Sequence, residues 1–257
     1  MNNDSMIEIK TFGVRGLFEQ IDKKKSLLDQ KRPLPVHTVR SIREHLIVNW
    51  TYHSNAIEGN TLTLSETKVA LEGITVGGKT IKEHLEAINH RDAILYVEEI
   101  VGNQESLSEW QIKSIHRLIL KGIEDESAGI YRKENVIISG ALQIPPDATQ
   151  IQSEMERFID WVKHEGQLLH PIERAAVIHL DFVGIHPFID GNGRTARLLL
   201  NFELIKSGYP PIVIQKENRS EYYSALDHAH TSKDNTKFIA LVSEIMDQTF
   251  AMYLRLV

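Results

Sequence analysis

His186-Pro187-Phe188-Ile189-Asp190-Gly191-Asn192-Gly193-Arg194-Thr195-Ala196-Arg197 is the stretch that decides how this chain is read. Pro187 disfavours a right-handed helical conformation at His186, so the preceding helix ends there. Gly191 and Gly193 let the backbone pass close to a ligand, and Asn192 tolerates unusual dihedrals between them. A new helix begins at this point, and its first free N–H groups make an anion site. Arg194 and Arg197 lie three residues apart, on one face of the first turns. Cations there oppose the helix dipole by about 0.3–1 kcal/mol, which a bound anion offsets. Asp190 beside such a site calls for a bridging cation, and Mg2+ takes one or two carboxylates plus phosphate oxygens. His186 titrates near neutral pH and stands four residues from that carboxylate, placed as a general base. Phe188 and Ile189 are expected to point inward and pin the loop. Taken singly, these features read as a turn, a helix cap and surface arginines. Their coincidence within twelve residues favours a metal-bound polyphosphate with a proton acceptor beside it.

Composition sets the frame. The 257 residues suffice for one large domain, or one domain with an extension. Hydrophobic residues at 42% and charged residues at 25% are ordinary for a globular chain. A net charge of -6 gives no support to nucleic-acid binding, and the last fifty residues hold no helix-turn-helix signature. With no cysteine there is no disulfide, thiolate zinc site or cysteine nucleophile, and a cytoplasmic location is expected. The polar first ten residues, with Asp4 and Glu8, lack the pattern of a signal peptide. No apolar run is long enough to span a membrane.

The dominant periodicity is helical. Leu17, Ile21, Leu27 and Leu28 predict a helix ending before Lys31 to Pro35, and Val39, Ile42, Leu46 and Trp50 predict a second running towards Glu58. Thr63 and Glu66 have the spacing of a capping box, as do Ser106 and Glu109. Helices are expected over 81–101, from Ser106 through Leu120, over 149–163 and 172–183, and over 192–206 with Gly208 as the stop. A helix capped at Asn218 and a last one from Asn235 complete the set. Asn135 to Pro146 breaks the pattern with two short β-prone runs around Ser139 and Gly140, read as a small hairpin or extended flap. The expectation is an all-α chain with one β-hairpin flap.

The motif from His186 to Arg197 resembles that of the Fic (Fido) family of nucleotidyl transferases, His-x-Phe-x-(Asp/Glu)-Gly-Asn-Gly-Arg-x-x-Arg, at every fixed position. The resemblance implies a helical bundle with a β-hairpin flap, catalytic over 106–247, with 248–257 ending the last helix. Residues 1–105 would be an N-terminal helical extension carrying regulation. It further implies transfer of AMP from ATP to a Ser, Thr or Tyr hydroxyl of a target protein. His186 would be the base and Asp190 the Mg2+ ligand. Residues Gly191, Asn192, Gly193, Arg194, Thr195, Ala196 and Arg197 would hold the nucleotide, with Tyr222, Tyr223 and His230 near adenine and ribose. His230 stands where the family commonly has asparagine. The flap Val136, Ile137, Ile138, Ser139 and Gly140 would clamp an extended target segment by β-augmentation.

Ser54-Asn55-Ala56-Ile57-Glu58-Gly59 resembles the family's inhibitory motif, in which the glutamate pairs with the second arginine, here Arg197. A carboxylate in the last helical turn needs a cationic partner in any case, and a carboxylate–guanidinium pair meets that need. Inhibition would then be intramolecular. The same site could serve AMP removal, alone or alongside transfer. A metal-dependent hydrolase using His179, Asp181, His186 and Asp190, or a non-catalytic binding module, are the remaining alternatives. Relatives with this layout often form homodimers.

Overall fold

A computed structural model describes the backbone of residues 3–257 and the side chains of residues 16–257. The side chains of the first ten residues, on which the reading of the N-terminus rests, lie outside the described set. Ten α-helices are found among the described residues: α1 (Asn3–Asp29), α2 (Val36–Ile57), α3 (Leu64–Leu71), α4 (Ile81–Gly102), α5 (Glu109–Leu120), α6 (Ile151–Lys163), α7 (Pro171–Ile185), α8 (Asn192–Lys206), α9 (Arg219–Ser232) and α10 (Thr236–Leu256). None is long and apolar enough to cross a membrane.

The antiparallel pair α7 and α8 forms the centre. α8 is buried from Arg194 through Leu204, polar residues included. A helix closed in on all sides must have apolar neighbours around its whole circumference. On one side Leu200 and Leu204 meet Phe18 and Ile21 of α1, Ile57 of α2, and Phe238 and Val242 of α10. On the other, Leu198, Leu199 and Phe202 meet Ile94, Ile112, Ile115, Met155, Phe158 and Phe182. The pair is also tied by charge: Arg174 Nε donates to Glu203 Oε1 at 2.8 Å, with both residues buried. Such a pair adds little over an apolar isostere, but losing one partner leaves an uncompensated charge at about 3–5 kcal/mol. The α7–α8 connection, residues 186–191, is therefore held at both ends by the best-packed elements of the chain.

Local signals explain most boundaries. Thr63 and Glu66 close the expected capping box on α3, and Thr80 and Glu83 form another on α4. The Ser106–Glu109 box does not form. Ser108 is the N-cap of α5, and its hydroxyl engages the Gln111 side chain instead of the backbone. Pro171 takes the first position of α7, where its missing N–H costs nothing. Gly208, at φ +77°, ends α8 in the left-handed conformation.

The flap differs from expectation. No strand forms among the described residues, and 135–146 is irregular, with a turn closed by Ala141 N donating to Ile138 O at 3.2 Å. The reason lies in where its polar groups go. Leu142 N donates to Asp227 Oδ1 at 3.3 Å and Gln143 Nε2 to Gly184 O at 3.1 Å, so one arm is tied to α7 and α9 rather than to the other arm. Pro145 and Pro146 offer no N–H for a ladder.

Candidate active site

The site is built where α2 ends and where the 186–191 loop leads from α7 into the start of α8. His186 caps α7 in the left-handed region, at φ +50° and ψ +59°. Pro187 excludes the right-handed helix, and the chain escapes to the left-handed well rather than the extended one. Holding a non-glycine residue there costs roughly 1–2 kcal/mol, met by the surrounding contacts. Phe188 is fully buried, as expected, whereas Ile189 is half exposed and does not pin the loop. Asn192 does: its Oδ1 accepts from Phe188 N at 3.0 Å and its Nδ2 donates to Phe188 O at 2.9 Å. That side chain is spent on the loop, so the anion-binding groups left are backbone amides.

Two residues absent from the sequence reading hold this loop. His116 of α5 stacks on Phe188 at 3.6 Å. Its Nδ1 accepts from Gly129 N and its Nε2–H donates to Asp190 O, both at 2.8 Å. Burial lowers its pKa to about 4, so the ring stays neutral with that proton on Nε2. Gly191, at φ +75°, fits against the same ring; a Cβ there would lie 3.2 Å from His116 Nε2. Arg132 is buried at the root of the flap. Its Nε donates to His186 O at 2.8 Å, Nη1 to Glu134 O at 2.9 Å and Nη2 to Pro146 O at 2.5 Å. One guanidinium thus joins both arms of the flap to the loop. A histidine breaking the apolar face of α5 is the one sequence signal for the first; the second has none.

His186 itself is held neutral. Burial, and then the nearby Arg132 charge, lower its pKa to about 4, against the opposing pull of Glu58 and Asp190. Asp190 is half exposed, with Oδ1 accepting from Gly191 N at 2.6 Å and Oδ2 3.3 Å from Arg194 Nη2. No group of three or more potential metal ligands exists among the described residues. The set His179, Asp181, His186 and Asp190 therefore does not converge. A single outward carboxylate nevertheless fits Mg2+ arriving with a triphosphate, which supplies the other oxygens.

Of the two arginines, Arg194 is buried and lies 3.6 Å from Glu86 Oε1 as well as near Asp190. Arg197 is buried and fully engaged. Nη2 donates to Glu58 Oε1 at 2.7 Å and Ser54 O at 2.8 Å, Nε to Ser54 Oγ at 3.0 Å, and Nη1 to Tyr222 Oη at 3.3 Å. Burial alone would depress this guanidinium, but Glu58 more than reverses that and its pKa is raised. Glu58 is the C-cap of α2, followed by Gly59 at φ +101°. Asn60 Nδ2 fixes the turn by donating to Glu86 Oε2 at 2.7 Å and Glu83 O at 3.1 Å. The carboxylate lies so close over Gly193 that Glu58 Oε1 leaves no room for a Cβ there. It thus sits unfavourably at the end of α2 but favourably at the start of α8, where an anion belongs. Thr195 and Ala196 are fully buried in the core and face no ligand space.

Beside Glu58 opens a cleft of about 470 Å3 lined by Ile138, Ser139, Gly140, Val183, Tyr223 and His230, among others. That volume is in the range of small-ligand sites. His230 Nε2 lies 3.0 Å from Leu180 O. Tyr222 points away from the cleft, buried against Arg197, and only Tyr223 of the tyrosine pair lines it.

Residues 106–204 match the model of the Fic/DOC family. The chain carries a Fic/DOC domain. Protein adenylyltransferase Fic from Nematostella vectensis is 38% identical over 241 residues, covering 93% of this chain and 56% of that protein. Its namesake from Culex quinquefasciatus is 36% identical over 240 residues, covering 92% and 47%. The chain thus spans about half the length of the curated relatives it matches. Among solved structures, Fic-1 (residues 134–508) from C. elegans superposes with a TM-score of 0.90 at 29% identity, over 98% of this chain and 75% of that one. A Fic domain containing signaling protein from Bacteroides thetaiotaomicron superposes at 0.85 and 28% identity, over 93% and 97%. The Fic/DOC match includes the whole motif loop and most of α8, but not α2, which brings Glu58.

Proposed function

We propose that this chain is a protein adenylyltransferase held inactive by its own α2: residues 106–247 do the chemistry and residues 1–105 regulate it. The observation that carries this reading is the Glu58 carboxylate lying over Gly193 and bonded to Arg197, an anion of the chain in the place a phosphate would take. The names of its relatives support AMP as the group moved. In the active state His186 accepts the proton of a target hydroxyl as that oxygen bonds to the α-phosphorus. The bond from that phosphorus to the pyrophosphate oxygen breaks, and pyrophosphate leaves. The amides of Asn192 and Gly193, at the start of α8, face the charge on the reacting phosphate, and Arg194 and Arg197 grip the leaving end. Asp190 would hold Mg2+, which would supply charge neutralisation on the phosphates. The exposed Ile137 and the half-buried Ile138 would flank an extended target segment laid along the flap, whose backbone has no strand partner of its own. We further propose the cytoplasm as the place of action and a homodimer as the assembly.

Labelled ATP tests the reaction. Glu58→Gly protein with Mg2+ should acquire covalent label from ATP marked at the α-phosphate and none from ATP marked at the γ-phosphate. Label from the γ-position alone, or from neither, overturns the assignment.

The depressed pKa of His186 makes a second prediction. The neutral base exists above about pH 4 and is lost only below it. kcat/KM of Glu58→Gly protein should therefore stay level from pH 7.5 down to about 5.5, since an ordinary histidine titrates near 6.5. An acid limb centred at 6.5 or above would contradict the buried, Arg132-repelled environment.

A further inference from the structure

Arg197 is met by Tyr222 of α9, which in turn meets His179 of α7. Tyr222 is buried on α9, with its hydroxyl 3.3 Å from Arg197 Nη1 and 3.0 Å from His179 Nε2. His179 is fully buried on α7, and its ring stacks on Phe238 at 4.8 Å. Burial, and then the charge of Arg197, hold the imidazole neutral. Arg197 can only donate, so the phenol accepts from it. The one phenolic proton is then directed to His179, whose Nε2 must accept. The polarity of the chain from Arg197 through Tyr222 to His179 is thus fixed, and none of it belongs to the inhibitory helix. When Glu58 departs, Arg197 loses a contact on Nη2 but keeps the one on Nη1.

We infer that Tyr222 and His179 are positioning residues that hold Arg197 in its phosphate-gripping direction after the Glu58 latch opens. The inference rests on the adenylyltransferase reading for the identity of the ligand. It moves Tyr222 from the adenine side of the site, where the sequence reading put it, to the leaving-phosphate side. Loss of the acceptor should leave a buried guanidinium N–H unpaired and free its direction, at the expense of contacts to the last phosphate only.

The test is calorimetric binding of Mg-ATP and Mg-ADP to Glu58→Gly protein, alone and with Tyr222→Phe, His179→Phe or His179→Gln added. Tyr222→Phe and His179→Phe are expected to weaken ATP about tenfold and ADP less than twofold. His179→Gln, which keeps an acceptor for the phenol, should restore ATP to within about threefold. KM for ATP in label transfer should rise in parallel, with kcat changed less. Equal weakening of ATP and ADP, or ATP binding unchanged by Tyr222→Phe, overturns the inference. So does failure of the glutamine to rescue. Absence of α-label in the Glu58→Gly parent would instead overturn the transfer reaction, while the ATP–ADP contrast would still decide the role of Tyr222.

Discussion

Glu58→Gly is expected to raise self-labelling from ATP by about 10- to 100-fold over the unaltered chain. The Glu58 carboxylate sets the size of this effect. A hydrogen bond between charged groups contributes about 1.5–3 kcal/mol, and each 1.36 kcal/mol is a factor of ten. The pair at 2.7 Å is made only in the resting state, so ATP must displace it before Arg197 can reach a phosphate. Removing Glu58 also removes an anion from above Gly193, where incoming phosphate would be repelled. The backbone should tolerate glycine, because position 58 caps α2 at φ -84° and ψ 0°. Stability should fall, since Arg197 keeps Ser54 and Tyr222 but loses its counter-charge. The loss should be below the 3–5 kcal/mol of a fully buried pair, because the Glu58 side chain is 32% exposed. Added Mg-ATP should recover part of it, as a ligand of the folded state must. Labelling unchanged by the substitution would remove the latch from the account.

His186→Ala in the same background should cut α-label transfer by about 100- to 10,000-fold, the usual contribution of a positioned base. ATP affinity should stay within about threefold, since the phosphate contacts come from the Asn192 and Gly193 amides and the two arginines. One complication is the left-handed backbone at His186, which alanine accepts less readily than asparagine does. His186→Asn is the control. An equal loss in both variants assigns the effect to the missing imidazole, whereas activity retained by asparagine would assign it to the loop geometry. Calorimetric ATP binding measured beside initial rates distinguishes the two cases.

Much of this molecule is legible in one dimension. The start of α8 at Asn192 and its stop at Gly208 follow from glycine and proline placement, because those residues act on their own backbone. The capping box of α3 and the termination of α2 near Glu58 are local in the same sense. The flap is different. Its β-prone residues state a preference, but Asp227 takes the backbone N–H of Leu142 and Gly184 anchors the Gln143 side chain, both more than forty residues away in sequence. Likewise Ser106 and Glu109 satisfy the spacing of a capping box, yet the helix starts at Glu109 itself, capped by Ser108.

The chemical inventory of the site, a histidine, a carboxylate, a glycine-flanked helix start and two arginines, was written in twelve consecutive residues, because spacing along one turn and one helix places them together whatever the rest does. A resemblance supplied the pairing of Glu58 with Arg197; folding alone could bring the two together, since 139 residues separate them. The neutral state of His186, the support of its loop by His116 and Arg132, and the turning of Tyr222 away from the cleft were equally beyond the sequence. Each depends on burial and on a partner from another helix, and burial belongs to the packed α7–α8 core, not to any segment by itself.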